Sequence, residues 1–278
     1  MKTLKRLLKN FAFTSGLILT LLLVVAALAA PLLATHDPNL QDTSRRLEKP
    51  SNDHILGLDD LGRDVYSRII YGARVSLRVG FSVVLAASLI GVTLGAISGY
   101  FGGIADVIVM RLCDILLAFP GILLAIALVA VLGPNLINVI LALSIIGWVG
   151  YARLVRGQVL KVREMEYVTA AKALGAKSPR VIVKHVLPNV INPVIVMATL
   201  GLAGAILAEA ALSFLGLGVQ PPTPSWGAML TSGRRYLGLA NHLAIFPGAA
   251  IMLAVMGLNF LGDGLIDALD PKYRKEIR

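Results

Sequence analysis

The stretch EMEYVTAAKALGAKSPRVIVKHVLPN, Glu164 to Asn189, is polar, basic and helix-prone in a chain that is otherwise oily. Its punctuation predicts two short helices set at an angle. The first, about Glu164 to Leu174, opens on acidic residues that suit the positive end of a helix. It closes at Gly175, the usual residue for a left-handed position just past a helix. Ser178 then reads as an N-cap with Pro179 at the first helical position, and the second helix runs toward Pro188. Ala170, Ala171 and Ala173 leave a surface of little bulk, over which another protein's backbone can pass. Such a hairpin sits badly in lipid and is too short to be a domain. It reads as a plug for a socket on a partner, the alternative being an ordinary amphipathic loop.

Working outward, the 278 residues are 56% hydrophobic and only 15% charged, with a mean hydropathy of +0.78. That balance belongs to a polytopic membrane protein rather than a soluble domain. A net charge of +10 invites a nucleic-acid partner, but most Lys and Arg flank apolar runs, where they set topology. The lone Cys113 excludes an intrachain disulfide and reads as a small buried residue.

The basic start, Lys2, Lys5, Arg6 and Lys9, precedes an uncharged run from Phe11 to Ala34, long enough for a first span. Ala27-Leu28-Ala29 is compatible with signal cleavage, but an uncleaved helix is preferred. Thr35 to Ala73 is a polar outer loop, in which Gly62-Arg63-Asp64 reads as a turn that pairs with neighbours and caps the next helix. Val79 to Ala105 is a second span, whose Gly91, Gly95 and Gly99 let another helix approach closely. Arg111 and Asp114 share a helix face and are expected to neutralise each other, or to form a gate ion pair. Ile115 to Ala152 carries no charge and is divided into two spans by Gly133-Pro134-Asn135, with a kink at Pro120. Val186 to Leu217 is a fifth span, able to break near Asn192-Pro193. Glu209 inside it is either cavity-facing or structurally paired. Trp226 suits the outer interface, and Leu243 to Gly262 is the sixth span, ended by Asp263, Asp267 and Asp270.

Four Lys/Arg at the N-terminus, eight from Arg153 to Lys184 and four in the tail place sixteen of twenty-six inside, if both ends are cytoplasmic. The Glu164 hairpin then faces the cytoplasm. No phosphate-binding Gly-rich loop with Lys-Ser/Thr and no His-Glu-x-x-His is present, and His36, His54, His185 and His242 are scattered. These absences favour a conduit powered elsewhere.

Three stretches carry a resemblance. Ala170-Ala171, Gly175 and His185-Val186-Leu187-Pro188 resemble the "EAA" loop of bacterial ABC-importer permeases, with Thr169 where the family has glutamate. Leu56-Gly57-Leu58-Asp59-Asp60-Leu61-Gly62-Arg63-Asp64, then Ser67-Arg68 and Gly72-Ala73-Arg74, resemble the dipeptide/oligopeptide (and nickel) branch, with Leu58 where Thr is usual. Ser213 to Gly227 is similar to the same branch. The resemblance runs from about Asp37 to Arg278 and is nearest to the dipeptide "C"-type subunits.

The resemblance implies an all-α membrane protein with six transmembrane helices, the type I (MetI-like) permease fold, in a bacterial or archaeal plasma membrane. Residues 1–73 would hold the N-terminal tail, the first helix (about 11–34) and the outer loop. Residues 74–268 would form a five-helix core with its coupling loop at about 157–188, and 269–278 a cytoplasmic tail. The coupling residues would be Glu166, Thr169, Ala170, Ala171, Gly175, His185, Leu187 and Pro188. Asp59, Gly62, Arg63, Asp64 and Arg68 match the branch's outer-loop pattern. No catalytic or metal-binding residue and no cofactor is implied in this chain, because ATP and Mg would be bound by partner subunits. Those partners are one or two cytoplasmic ATPases, a second homologous permease and an extracytoplasmic solute-binding protein, with membrane lipid around them and no nucleic acid. The cargo implied is a di- or oligopeptide. A nickel chelate is the alternative within the branch. A stand-alone channel, a secondary transporter or an intramembrane enzyme is the alternative outside it.

Overall fold

A computed structural model describes residues 10–269; Lys2, Lys5, Arg6 and Lys9 and the tail from Asp270 lie outside the described residues. It is all-helical apart from one isolated bridge between Leu58 and Asp64. Five helices are long and apolar enough to cross a bilayer, and a bent pair makes the sixth span when counted as one.

Helix α1 spans Phe11–Leu28, capped by Asn10, whose side chain accepts from Phe13 N. Pro31 ends the expected run early by starting a separate turn, α2 at Ala30–Leu33. Helix α3 runs from Val65 to Phe101, beginning well before the expected Val79. Asp64 starts it, its Oδ2 accepting from Ser67 N at 2.8 Å. The helix extends beyond the apolar stretch, and Arg74 and Arg78 sit exposed on that extension. At roughly 1.5 Å per residue α3 is about 55 Å long, more than a bilayer core needs.

After Gly102 and Gly103, both at positive φ, α4 spans Gly103–Leu117 and α5 Gly121–Leu132. The kink expected at Pro120 is a full break, with the two helices at 86°. Helix α6, Leu136–Val162, is capped by Asn135, which accepts from Asn138 N. Helices α7 (Glu166–Ala173) and α8 (Ser178–Val181) form the hairpin. Ser178 is not the cap: Lys177 holds that position, and Pro179 falls second, where its missing N–H again has no intrahelical partner to lose.

The second hairpin helix is the N-terminal end of the fifth span. A wide π turn at Ile182–Val186 joins α8 to α9, Leu187–Phe214. Pro188 lacks the N–H that would bond back to Lys184, so the preceding turn opens and Leu187 N donates to Ile182 O. The break expected near Pro193 is absent, since α9 continues through it. A short outer helix α10, Trp226–Gly233, follows, and α11 covers His242–Leu269. Trp226 is buried rather than interfacial, and its indole donates to Ile69 O at 2.9 Å, locking α10 onto α3.

Two cores result. One joins α3 and α6 to the hairpin through Val155, Val159, Val168, Val181 and Val186. The other joins α1, α9, α10 and α11 around Ile206, Trp226 and Leu258. The α3–α6 contact is the most extensive in the molecule. A Cβ on Gly91 would lie 2.5 Å from Trp148 O, one on Gly95 2.5 Å from Ala152 O, and one on Gly99 2.9 Å from Val159 Cβ. The two backbones therefore touch along a seam that admits only glycine. Gly95→Leu is expected to lower stability by about 3 kcal/mol or more, beyond ordinary overpacking, because the obstacle is backbone. Gly157→Leu, on α6 with open space around it, is expected to be tolerated. Thermal melts of the purified chain in detergent distinguish the two.

Candidate functional site

The hairpin is closed by a Schellman arrangement. Gly175 N donates to Lys172 O at 2.9 Å and Ala176 N to Ala171 O at 3.1 Å, with Gly175 at φ +83°. A Cβ on Gly175 would meet nothing within 4 Å, so backbone conformation and not space calls for glycine. Beneath the turn, Val168, Val181 and Val186 are fully buried. Above it, Glu166, Thr169, Ala170, Gly175 and Pro188 are exposed, and Ala171, His185 and Leu187 are half-buried. Leu174, 88% exposed, projects from the tip. The result is a small, smooth, partly apolar knob on a valine base. Lys172 Nζ lies 5.1 Å from the Tyr100 ring and Arg163 Nη1 donates to Gly99 O at 2.9 Å, tying the knob to the inner end of α3.

At the far end of α3 the outer-loop residues form a separate cluster. Gly62 makes the turn at φ +72°. Asp59 accepts from the backbone N of Leu61 and Arg63 through Oδ1, both at 2.9 Å, and from Arg63 Nε through Oδ2 at 2.7 Å. Arg68 Nε lies 3.6 Å from that same oxygen, and its Nη1 donates to Pro38 O at 2.8 Å. These buried charges pack against one another and build the loop, with Arg68 Nε and Asp60 Oδ1 left without a hydrogen-bond partner among the described residues. Nearby, Arg45 donates to Glu48 through Nε and Nη2, and that guanidinium holds the Glu48 carboxyl below the ordinary carboxylate range.

Within the spans, the pairing expected between Arg111 and Asp114 is replaced. Asp114 takes Arg153 of α6 at 2.6 Å, because the neighbouring helix brings a guanidinium closer than the next turn does. Asp106, not singled out from sequence, accepts both Nε and Nη2 of Arg156 and the Ser98 hydroxyl. Arg153 and Arg156 read only as topology markers in sequence, yet they clamp α4 to α6. Glu209 is fully buried. Its Oε1 accepts from Ser213 Oγ at 2.6 Å and Ser225 Oγ at 3.0 Å, while Oε2 has no partner among the described residues. The carboxyl thus ties α9 to the start of α10.

A cavity of about 580 Å³ does open between α3, α5, α6 and α9. Val83, Ala87, Ile146, Met197 and Gly201 line it, and its one polar group is Tyr151, whose hydroxyl donates to Met197 O at 3.5 Å. No charged side chain lines it.

Residues 91–275 match the family of binding-protein-dependent transport system inner membrane components, and residues 2–50 match the N-terminal TM domain of oligopeptide transport permease C. A dipeptide transport system permease protein of Alkalihalophilus pseudofirmus is 50% identical over 270 residues, 97% of this chain and 89% of the relative. A glutathione transport system permease protein of Pectobacterium atrosepticum is 46% identical, covering 96% of this chain and 88% of the relative. A di/tripeptide transport system permease protein of Pseudomonas aeruginosa is also 46% identical, over 95% and 89%.

Glu209→Ala would strand two buried hydroxyl donors and is expected to cost about 1–3 kcal/mol, whereas Glu209→Gln keeps an acceptor and most of the stability. Comparative melting checks this; equal losses in the two variants would contradict it.

Proposed function

Because the chain belongs to the family of binding-protein-dependent transport system inner membrane components, we propose that it moves short peptides across the membrane, driven by ATP hydrolysis on separate subunits. The chain is a multi-pass permease. The finer reading is that its hairpin docks on a cytoplasmic ATPase, which binds the ATP and Mg. A second homologous permease completes the pathway, and an extracytoplasmic binding protein delivers the cargo. The observation that carries the reading is the knob itself: an exposed Ala170–Leu174 tip, held by the buried valines that also pack α6 and α9.

Mechanically, force on the tip passes into two spans at once. Helix α6 leads into α7, and α8 is continuous with α9, so displacement of the knob rotates both. The glycine seam carries α3 along with α6. The wall between α3 and α9 is the cavity lining, so its access would alternate as a rigid-body change between two packings. Cargo follows from the relatives, which are named for dipeptide, di/tripeptide and glutathione transport. An uncharged lining supports passage of peptides of varied sequence, since it offers no fixed partner for one side chain. Selection of the charged termini then falls to the binding protein.

The test is ATP-dependent uptake of labelled dipeptide by vesicles carrying the whole complex, with glutathione and a nickel chelate as competitors. Dipeptide uptake is expected, and uptake of the chelate alone would overturn the cargo assignment. In the same vesicles Gly175→Val is expected to abolish uptake, because a β-branched residue disfavours positive φ. Gly175→Asn, which tolerates that conformation, is expected to retain uptake. Full transport by Gly175→Val would sink the coupling role.

A further inference from the structure

His36, His54 and Asp64 are spread along the loop between α2 and α3, and the fold brings them together at the N-terminal end of α3. His54 Nδ1 lies 2.9 Å from Asp64 Oδ1, and His36 Nδ1 lies 3.8 Å from the same oxygen. The two imidazoles face each other, with centroids 4.4 Å apart and a tilt of 37°. One donor atom from each residue falls within 4.8 Å of the other two. We propose that these three side chains bind a divalent transition-metal ion of the zinc class.

Three observations support the assignment. The first is charge. The Asp64 side chain is 1% exposed, and among the described residues its only ionisable neighbours within ion-pair distance are these two histidines. Asp59, a few residues away, takes Arg63 and Arg68 instead. A buried carboxylate oxygen facing two imidazoles forms an anionic donor set that a cation would complete. The second is preorganisation. Asp64 Oδ2 is committed to Ser67 N, which aims Oδ1 at the rings. The His36 backbone N donates to Ser67 Oγ at 3.0 Å. The His54 backbone N donates to Ser51 Oγ at 3.1 Å, while its carbonyl accepts from Ser51 N and Gly57 N. The third is spacing. Zinc takes nitrogen and oxygen donors at about 2.0–2.2 Å, which sets tetrahedral donors roughly 3.3 Å apart. The two distances to Asp64 Oδ1 bracket that value. All three donors lie within 4.8 Å of one another, and His36, whose side chain is 36% exposed and whose Nδ1 sits 3.0 Å from Thr35 Oγ1, is the one that would move to close the site.

Two imidazoles and one carboxylate suit zinc, nickel or copper far better than magnesium or calcium. Each ring coordinates as the neutral form through Nδ1, with its proton on Nε2. A fourth position opens on the exposed His36 side, where water would sit. The bound ion would clasp the segment after α2, the middle of the outer loop and the first turn of α3. This departs from the metal-free reading of the sequence, and it holds whatever the cargo is.

The test uses the full chain, purified in detergent through a tag without histidine and stripped with a chelator. Zn²⁺ alone is then titrated by calorimetry, with metal content measured after desalting. One ion per chain is expected, with zinc raising the melting temperature. His36→Ala and Asp64→Asn are expected to weaken binding by at least about tenfold and to remove the thermal shift, while His185→Ala, at the opposite end of the molecule, changes neither. His36 is exposed enough that its loss leaves the fold intact, as elution volume will show. Absence of stoichiometric zinc in the wild type overturns the proposal, as does unchanged binding in both ligand variants.

Discussion

Backbone contact between α3 and α6 is the constraint on which the other elements depend. Gly91, Gly95 and Gly99 recur every fourth residue, so they line one face of α3. Against that face Trp148, Ala152 and Val159 of α6 approach as closely as main chain permits. Lipid offers no hydrophobic drive for two apolar helices to associate, so this packing and the few polar clamps must hold them. Arg156 with Asp106, and Arg153 with Asp114, clamp α6 to α4, and Asp106 also takes the Ser98 hydroxyl of α3. Since α6 runs straight into the hairpin, the seam also sets where the hairpin stands.

The same economy of parts explains how a small knob can act on a large membrane body. Val159 and Val162 at the end of α6 share one core with Val168, Val181 and Val186. Between the tip and the spans the chain leaves regular α-helix at the turn of residues 163–165 and at the π turn before Pro188. The π turn is the natural place for α9 to adjust its angle while the knob stays seated. At the other end, Trp226 and Glu209 fasten α10 to α3 and α9, so in the proposed mechanism that end would move with the spans next to the knob.

Much of this was legible in the sequence, for physical reasons that also mark the limits. Apolar runs show spans because a bilayer demands them, and Gly175 shows its turn because few residues adopt positive φ. The glycine spacing of α3 declared a close contact without naming α6 as the partner. Helix α3 began earlier than hydropathy indicated, since a helix extending past the membrane carries exposed arginines like any loop. Pro120 announced a kink, but the size of the 86° bend depends on what α4 and α5 pack against. Tertiary pairings were the least visible. Nothing in the spacing of Asp114 and Arg153, or of His36, His54 and Asp64, announces that they meet. Trp226 followed a proline-rich loop and read as interfacial, yet the fold buries it.

The central claim is that the Glu166–Ala173 knob seats this chain on an ATPase. Gentle purification from the native membrane, with every co-purifying chain identified by mass spectrometry, tests it most directly when the wild type is compared with Ala170→Trp. The wild type should bring a second permease and an ATPase, and the variant should keep the permease and lose the ATPase, since bulk at the smooth tip blocks only that contact. An ATPase recovered equally with both would contradict the claim, as would a chain that comes out alone under conditions that keep other membrane complexes whole.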